Sequence, residues 1–140
     1  MTHPDLQALT LAALETAKRA GAFIRQELHQ FSQSDIITKE PHSLVTYVDR
    51  KAEEIIVQGL RPLLEDAGFV TEENTVDQDR KSIYTWVIDP LDGTTNFIHR
   101  IPVFAVSIGL LEKGKPVLGV ISHIMAEEHF YAWEGGGAWL

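Results

Sequence analysis

The sequence contains no cysteine among its 140 residues. Disulfide bonds, catalysis by a thiolate and zinc sites with cysteine ligands are therefore excluded. The six histidines are scattered along the chain and form no ligand cluster. Any catalytic or metal-binding site has to rely on other side chains.

Basic residues are also scarce in this chain. Lysine and arginine together number 12 against 20 aspartates and glutamates, so the formal net charge is −8. This charge argues against nucleic acid as a partner, because phosphate backbones are bound by clustered lysine and arginine. An acidic protein that handles phosphate needs a metal ion to bridge the like charges.

Long hydrophobic runs are missing as well. No segment is long enough to span a bilayer, and the first ten residues lack the basic-then-apolar layout of a signal peptide. Hydrophobic residues make up 44% of the chain and charged residues 23%, which is ordinary for a soluble globular protein. We therefore expect a single domain in the cytoplasm, without a membrane partner.

Two stretches carry apolar residues at the spacing of one helix face. The first consists of Leu6, Leu9, Ala13, Ala17, Ala20, Ile24, Leu28 and Phe31, and the second of Val48, Ala52, Ile55, Ile56, Leu60, Leu63 and Leu64. The polar residues 32–43 between them, which include Pro41, predict a loop. For the second helix, Thr46 is the predicted N-cap, Pro62 should bend or tighten the last turns, and Gly68 should end it.

After residue 68 the apolar segments become short. Strands are predicted over residues 69–71, 84–88, 103–111, 116–124 and 129–133, with hairpin turns at residues 113–115 and 126–128. Two helices that cover one antiparallel sheet form an α+β arrangement. Trp86, Trp133 and Trp139 are interpreted as packing residues.

The most informative segment is residues 86–97, WVIDPLDGTTNF. An apolar strand ends there in turn residues, and Asp89 and Asp92 can converge on one hard cation such as Mg²⁺. Gly93 permits close approach of the backbone to a ligand. The alternative is an Asx-type turn followed by a helix that Asp92 or Thr94 caps.

Three related motifs do not fit. In a calcium EF-hand loop counted from Asp89, the third position would be Leu91 and the fifth Gly93, so the ligand register fails. The aspartyl-phosphate phosphatases place their two aspartates two positions apart, whereas Asp89 and Asp92 are three apart. A phosphate-binding P-loop string does not occur in the chain.

Residues 89–97 closely resemble the signature of the inositol monophosphatase family of metal-dependent phosphatases. Three further segments are similar to that family in the same order: residues 44–49 (LVTYVD), residues 69–74 (FVTEEN), and the strands within residues 102–111 and 119–133. The resemblance covers most of the chain. It implies the N-terminal half of an αβαβα layered sugar-phosphatase fold.

The resemblance also implies roles for individual residues. Glu72, Asp89, the Leu91 carbonyl and Asp92 would bind Mg²⁺. Glu72, Thr94 and Asp49 would be catalytic, with the Thr94 hydroxyl paired to Asp49 in activating water. Asp92, Gly93 and Thr94 would contact the substrate phosphate, with backbone N–H groups at Gly93 and Thr94.

Other interpretations of single residues stay open. Asp49 also suits the first turn of a helix for electrostatic reasons alone. Glu73 is either a solvated neighbour of Glu72 or a partner that supports it, and His99 is interpreted as structural or exposed. Arg100 stands where the family usually has glycine, so the turn at this position should avoid positive φ.

The function implied is Mg²⁺-dependent hydrolysis of a small polyol phosphate, myo-inositol monophosphate above all. The alternatives are the same chemistry on a sugar bisphosphate or nucleotide phosphate, and a non-catalytic fragment that binds metal or pairs with a subunit. Residues 1–140 would be the N-terminal lobe of a longer enzyme, a homodimer, whose C-terminal α/β lobe is absent here. The fragment alone is expected to be inactive.

Overall fold

Two long helices and one sheet account for most of the computed structural model, which describes residues 4–30, 41–79 and 81–140. Helix α1 is Leu6–Gln30 and helix α2 is Pro41–Leu60, followed by a 3₁₀ turn at Arg61–Leu63. A short helix, α3, is Thr94–Ile98. The strands are β1 (Gly68–Thr71), β2 (Tyr84–Asp92), β3 (Ala105–Glu112), β4 (Lys115–His123), β5 (Glu128–Trp133) and β6 (Gly137–Trp139).

The sheet within these residues follows chain order, β1-β2-β3-β4-β5-β6. The α+β class and the two helices packed on the sheet are confirmed. Strands β2 to β6 pair antiparallel as predicted, but β1 pairs parallel with β2, so the sheet is mixed. Alternation of apolar residues does not encode strand direction, which is why the sequence did not reveal the parallel pair.

The apolar stripe of α1 lies against β3, β4, β5 and α2, and α2 lies over β2. Small residues permit this close packing. Ala13, Ala17 and Ala20 are completely buried, and a Cβ added to Gly59 of α2 would lie 2.7 Å from the side chain of Thr16. The two predicted helical faces are therefore the core faces, except that Phe31 lies outside the described residues.

The predicted limits of the second helix are partly wrong. The helix begins at Pro41 and not at Thr46, because proline is well suited to the first helical turn, where its missing N–H costs no hydrogen bond. Gly68 does not end the helix but begins β1. The tightening expected at Pro62 is confirmed by the 3₁₀ turn. Most of the predicted loop, residues 32–40, lies outside the described residues.

The predicted strands agree with those observed to within a few residues, and the hairpin turn at Lys113 and Gly114 is confirmed. Both residues have positive φ (50° and 80°), as tight hairpin turns require. Strand β2 is longer than predicted and continues to Asp92, with an irregularity in its pairing between Asp89 and Asp92.

The two faces of the sheet differ. Trp86 is completely buried on the helix-covered face, as predicted, and Trp133 stacks on Trp139 with ring centroids 6.3 Å apart. The opposite face, which we call the open sheet face, carries the exposed apolar side chains of Val87, Val103, Ile121 and Phe130. Among the described residues, no helix is both long and apolar enough to cross a membrane.

Candidate metal and phosphate site

The carboxyl ends of β1 and β2 bring the first candidate residues together. The parallel register pairs Thr71 with Ile88. The next residues along the two strands, Glu72 and Asp89, therefore leave the same edge of the sheet side by side. Ligands commonly bind outside the carboxyl ends of parallel strands, and an antiparallel β1 would have sent Glu72 to the opposite edge.

Helix α2 supplies two further carboxylates from its buried face. Asp49 and Glu53 are one helical turn apart, so they lie on the same side of α2. Only 7% of Asp49 is exposed, and Glu53 is completely buried. We call Asp49, Glu53, Glu72, Glu73 and Asp89 the carboxylate cluster.

The cluster holds an excess of negative charge, and the pKa of Asp49 reflects this. Burial, followed by the charges of Glu73, Asp89, Glu72 and Glu53, raises the pKa of Asp49 to about 7. Each of these causes disfavours the ionised form.

Two more members of the cluster are perturbed in the same direction. Burial first raises the pKa of Asp89, opposed by the hydrogen bond from the Leu91 N–H, and the charge of Glu72 raises it further. Burial and the charges of Glu53 and Glu72 raise the pKa of Glu73. A cation placed among these groups would remove the repulsion, which is the electrostatic condition for a metal site.

The end of β2 has the Asx-type turn but not the capped helix that was the alternative. The Leu91 N–H donates to Asp89 Oδ1 at 3.2 Å, which defines the turn. Gly93 occupies the N-cap of α3 with φ 98°, and no side chain caps the helix. A Cβ at Gly93 would lie 2.9 Å from the carbonyl oxygen of Val103, so only glycine fits here without strain.

Thr94 does not make the interaction expected from the resemblance. Its hydroxyl donates to the Leu91 carbonyl at 3.1 Å, and no hydrogen bond joins it to Asp49 among the described residues. The Leu91 carbonyl keeps a second lone pair. Glu72 and Asp92 are exposed, and Asp89 is half-buried.

The donor atoms fit a hard cation, although the site is not closed. Carboxylate and carbonyl oxygens are the ligands that Mg²⁺ and Mn²⁺ prefer. Within the part of the chain that the structure describes, no three acidic or histidine side chains are close enough to hold one metal ion. The predicted ligands Glu72, Asp89 and Asp92 therefore lie at the same end of β1 and β2 but are not arranged to coordinate one ion.

Glu53 is the residue that the sequence analysis missed. Its carboxylate accepts hydrogen bonds from the segment that follows Glu72, namely from the N–H groups of Glu73 and Thr75. The signal was present, because an acidic residue four positions after Asp49 falls on the predicted apolar stripe of α2.

The expectation for Arg100 is wrong. Arg100 has φ 58°, in the left-handed region that the sequence analysis excluded for it. The surrounding turn is held by other bonds: the Asn96 side chain donates to the Val103 carbonyl at 2.7 Å, and the Ile101 N–H donates to the Asn96 carbonyl at 2.8 Å. These bonds offset the cost of the left-handed conformation. His99 is exposed, as interpreted.

Comparison with known proteins supports the resemblance. The profile of the inositol monophosphatase family matches residues 5–140. An inositol-1-monophosphatase of Mesorhizobium japonicum is 38% identical over 133 residues, which cover 95% of this chain and 50% of that protein. The Nus factor SuhB of Escherichia coli is 38% identical over 138 residues, 99% of this chain and 50% of that protein.

A solved structure agrees with the fold. Inositol monophosphatase from Anabaena superposes with a TM-score of 0.80 at 34% identity, covering 96% of this chain and 47% of that one. The chain thus spans about half the length of the curated relatives it matches.

Proposed function

Because the chain belongs to the inositol monophosphatase family, we propose that it supplies the metal-binding half of a Mg²⁺-dependent phosphomonoesterase. The proposed substrate of the whole protein is myo-inositol monophosphate, which it would hydrolyse to inositol and phosphate. The chain would be the N-terminal lobe of that protein.

One observation supports this proposal most strongly. The parallel register of β1 and β2 places Glu72 next to Asp89, and the buried Asp49 faces them from α2 with its pKa raised to about 7. Such a group of carboxylates is unfavourable as a purely structural core, because burial and mutual repulsion both disfavour the ionised forms. Several carboxylates with raised pKa values at one place are typical of a functional site.

The proposed metal ligands are Glu72, Asp89, the Leu91 carbonyl and Asp92. A bound Mg²⁺ would lower the pKa of a water molecule, offset the phosphate charge and stabilise the leaving oxygen. Glu72 would orient the attacking water.

Asp49 and Thr94 would take part in removing the proton of the attacking water. Burial, the first cause of the raised pKa of Asp49, would persist with a metal bound, so Asp49 would accept a proton more readily than a solvated carboxylate. The role of Thr94 requires its hydroxyl to leave the Leu91 carbonyl by rotation about χ1. Asp92, Gly93 and Thr94 would contact the substrate phosphate.

The test is phosphate release from myo-inositol monophosphate by the full-length protein with and without Mg²⁺. Activity that depends on Mg²⁺, and that Asp89→Asn abolishes, is expected. Activity that is equal in a chelator would refute the metal mechanism. A panel with a sugar bisphosphate and a nucleotide phosphate decides the substrate, since either could share the metal chemistry.

The isolated 140-residue chain should show no turnover, because the proposed second lobe supplies the substrate walls and another metal ligand. Loss of such positioning can remove about 7–11 kcal/mol of barrier reduction. The whole protein is proposed to be a homodimer, and the cytoplasmic location stays a prediction.

A non-catalytic binding protein is the second candidate. The observation in its favour is that the Escherichia coli relative is named a Nus factor and not a phosphatase. Mn²⁺ binding by the full-length protein, without phosphate release from any ester of the panel, would favour this candidate.

A further inference from the structure

The buried carboxylate of Glu53 binds the segment that follows β1 through hydrogen bonds. Its Oε1 accepts the N–H of Glu73 at 2.8 Å. Its Oε2 accepts both the N–H and the hydroxyl of Thr75, at 2.9 and 2.5 Å. Glu53 lies near the middle of α2, and its side chain is completely buried.

These three bonds explain why a carboxylate is tolerated at this depth. Burial of an ionised group without partners is very costly, but hydrogen bonds to a charged acceptor are short and strong. The backbone of the segment turns both N–H groups toward Glu53, because Asn74, between the two donors, has φ 55°. Consecutive N–H groups around a left-handed residue form a concave donor site for an anion.

The consequence for the site follows from the order of residues. The bonded residues, Glu73 and Thr75, come directly after Glu72, so Glu53 fixes the backbone that carries Glu72. We propose that Glu53 is a positioning residue, which anchors residues 73–75 to α2 and thereby keeps Glu72 beside Asp89 at the metal site. The metal part of this inference rests on the proposed function, whereas the anchoring part does not.

Two other roles make different predictions. If Glu53 acted only through its charge, any variant that keeps the charge would bind metal normally. If Glu53 were only part of the core, its loss would lower stability without a specific effect at Glu72. Thr75→Val keeps the Glu53 charge and removes one donor, so it separates anchoring from charge.

The matched control is Glu54→Gln, on the next position of the same helix. Glu54 is partly exposed and pairs with Lys51 at 3.6 Å, so its charge contributes little. It shares the helix, the residue type and the substitution with Glu53→Gln, but it does not bond to residues 73–75.

The first measurement is amide hydrogen exchange of the metal-free chain. Glu53→Gln should lower the protection of the N–H groups of Glu73 and Thr75 relative to the wild type and Glu54→Gln, while protection in β3 and β4 stays unchanged. Unaltered exchange at both groups would overturn the anchoring.

The second measurement is the Mn²⁺ affinity of folded variants of the full-length protein, determined by water-proton relaxation. Loss of a group that orients a metal ligand typically weakens binding about 10- to 100-fold, which we expect for Glu53→Gln. Thr75→Val should weaken binding about two- to tenfold, the worth of one hydrogen bond. Wild-type affinity in Thr75→Val would overturn the positioning role.

A double-mutant cycle with Glu72→Gln decides whether Glu53 acts through Glu72. In the Glu72→Gln background, Glu53→Gln should change Mn²⁺ affinity less than twofold; a full additive loss would overturn the inference. Absence of Mn²⁺ binding by the wild-type full-length protein would refute the proposed function and the metal role of Glu53 together. The exchange measurement would still decide the anchoring.

Discussion

The parallel pair β1–β2 and the antiparallel strands β3–β6 belong to one sheet, but their connections differ. Tight turns join β3 to β4 and β4 to β5, whereas β1 and β2 need a crossover, residues 72–83. The crossover carries the chain back to the edge where β1 begins, so β2 runs parallel to β1 and both strands lead into acidic residues at the same edge.

The acidic residues of the two regions also differ in their partners. In the antiparallel region, Glu112 accepts the hydroxyl of Tyr84 at 2.6 Å, and Glu127 pairs with Arg25 of α1. Each has its own donor. In the carboxylate cluster, acidic side chains face one another, and the pKa values of Asp49, Glu73 and Asp89 are raised. The parallel direction of β1 therefore brings Glu72 next to Asp89, whereas Glu112 and Glu127 each have a separate partner.

The largest expected effect is on catalysis. In the full-length protein, Asp92→Asn and Thr94→Ala should each lower kcat about 100-fold or more, because the proposed metal binding and proton transfer depend on them. Glu112→Gln, at the opposite edge of the sheet, should leave kcat unchanged. Steady-state kinetics with circular dichroism of each variant tests this. Similar losses in all three would remove the distinction between the regions.

The next effect is the pH dependence of stability without metal. The pKa of Asp49 is raised from 3.8 to about 7 in the folded chain. The folded state then binds the proton more tightly, so the contribution to stability is full below about pH 4 and is lost as pH rises through 7. The loss amounts to at most about 4 kcal/mol.

Urea unfolding in a chelator between pH 5 and 8 measures that contribution. The wild type should lose stability toward pH 8, and Asp49→Asn should lose much less. If the stability of the wild type and of Asp49→Asn changes equally between pH 5 and pH 8, the cluster does not raise the pKa of Asp49.

Two glycines with positive φ allow a matched comparison of backbone constraint. Gly93 (φ 98°), at the end of β2, has no space for a Cβ, whereas nothing lies within 4 Å of a Cβ at Gly114 (φ 80°), in the β3–β4 turn. Gly114→Ala should cost about 1–2 kcal/mol from conformation alone. Gly93→Ala should cost about 1–3 kcal/mol more from overpacking. Equal costs by urea unfolding would contradict the steric difference.

A smaller effect of opposite sign is expected in the antiparallel region. Burial, followed by the charge of Lys18, lowers the pKa of His129, whose ring nitrogen lies 2.8 Å from the Ser122 hydroxyl. A lowered histidine pKa contributes stability above about pH 6.5 that is lost as pH falls through the folded value. His129→Gln should lose less stability than the wild type between pH 7 and 5. His99→Gln, at an exposed site, should behave like the wild type.

The smallest effect concerns the open sheet face, to which both regions contribute. Its exposed apolar side chains should cause weak self-association of the isolated chain at roughly tens of micromolar. Phe130→Lys should reduce it, and Leu11→Lys, an exposed position on α1, should not. Light scattering that finds a clean monomer for the wild type would refute the expectation.

The sequence predicted the elements of this fold better than their relations. The stripe from Leu9 to Leu28 and the hairpin at Gly114 are local patterns, and the structure agrees with both. The direction of β1 depends on which strand it joins in space, and Pro41 suits either a break or a first turn. Neither is decided by local pattern.

For the candidate site, the resemblance assigned residues but not their geometry. The resemblance assigned Glu72 and Asp89, and the parallel register places them together. The partner of the Thr94 hydroxyl and the anchoring bonds of Glu53 depend on side-chain positions that a sequence motif does not specify. The left-handed Arg100 likewise depends on bonds from Asn96 and Ile101, made within its turn.

The packing of α1 on β4 and β5 has a consequence for how the chain is made. Arg25 and Glu127, which tie this helix to the β4–β5 turn, are 102 positions apart. A ribosome needs about 5–20 s to add that many residues, whereas a helix of this length forms within about a microsecond. During synthesis, the apolar stripe of α1 is therefore accessible to chaperones and to other nascent chains for seconds before the strands that cover it exist.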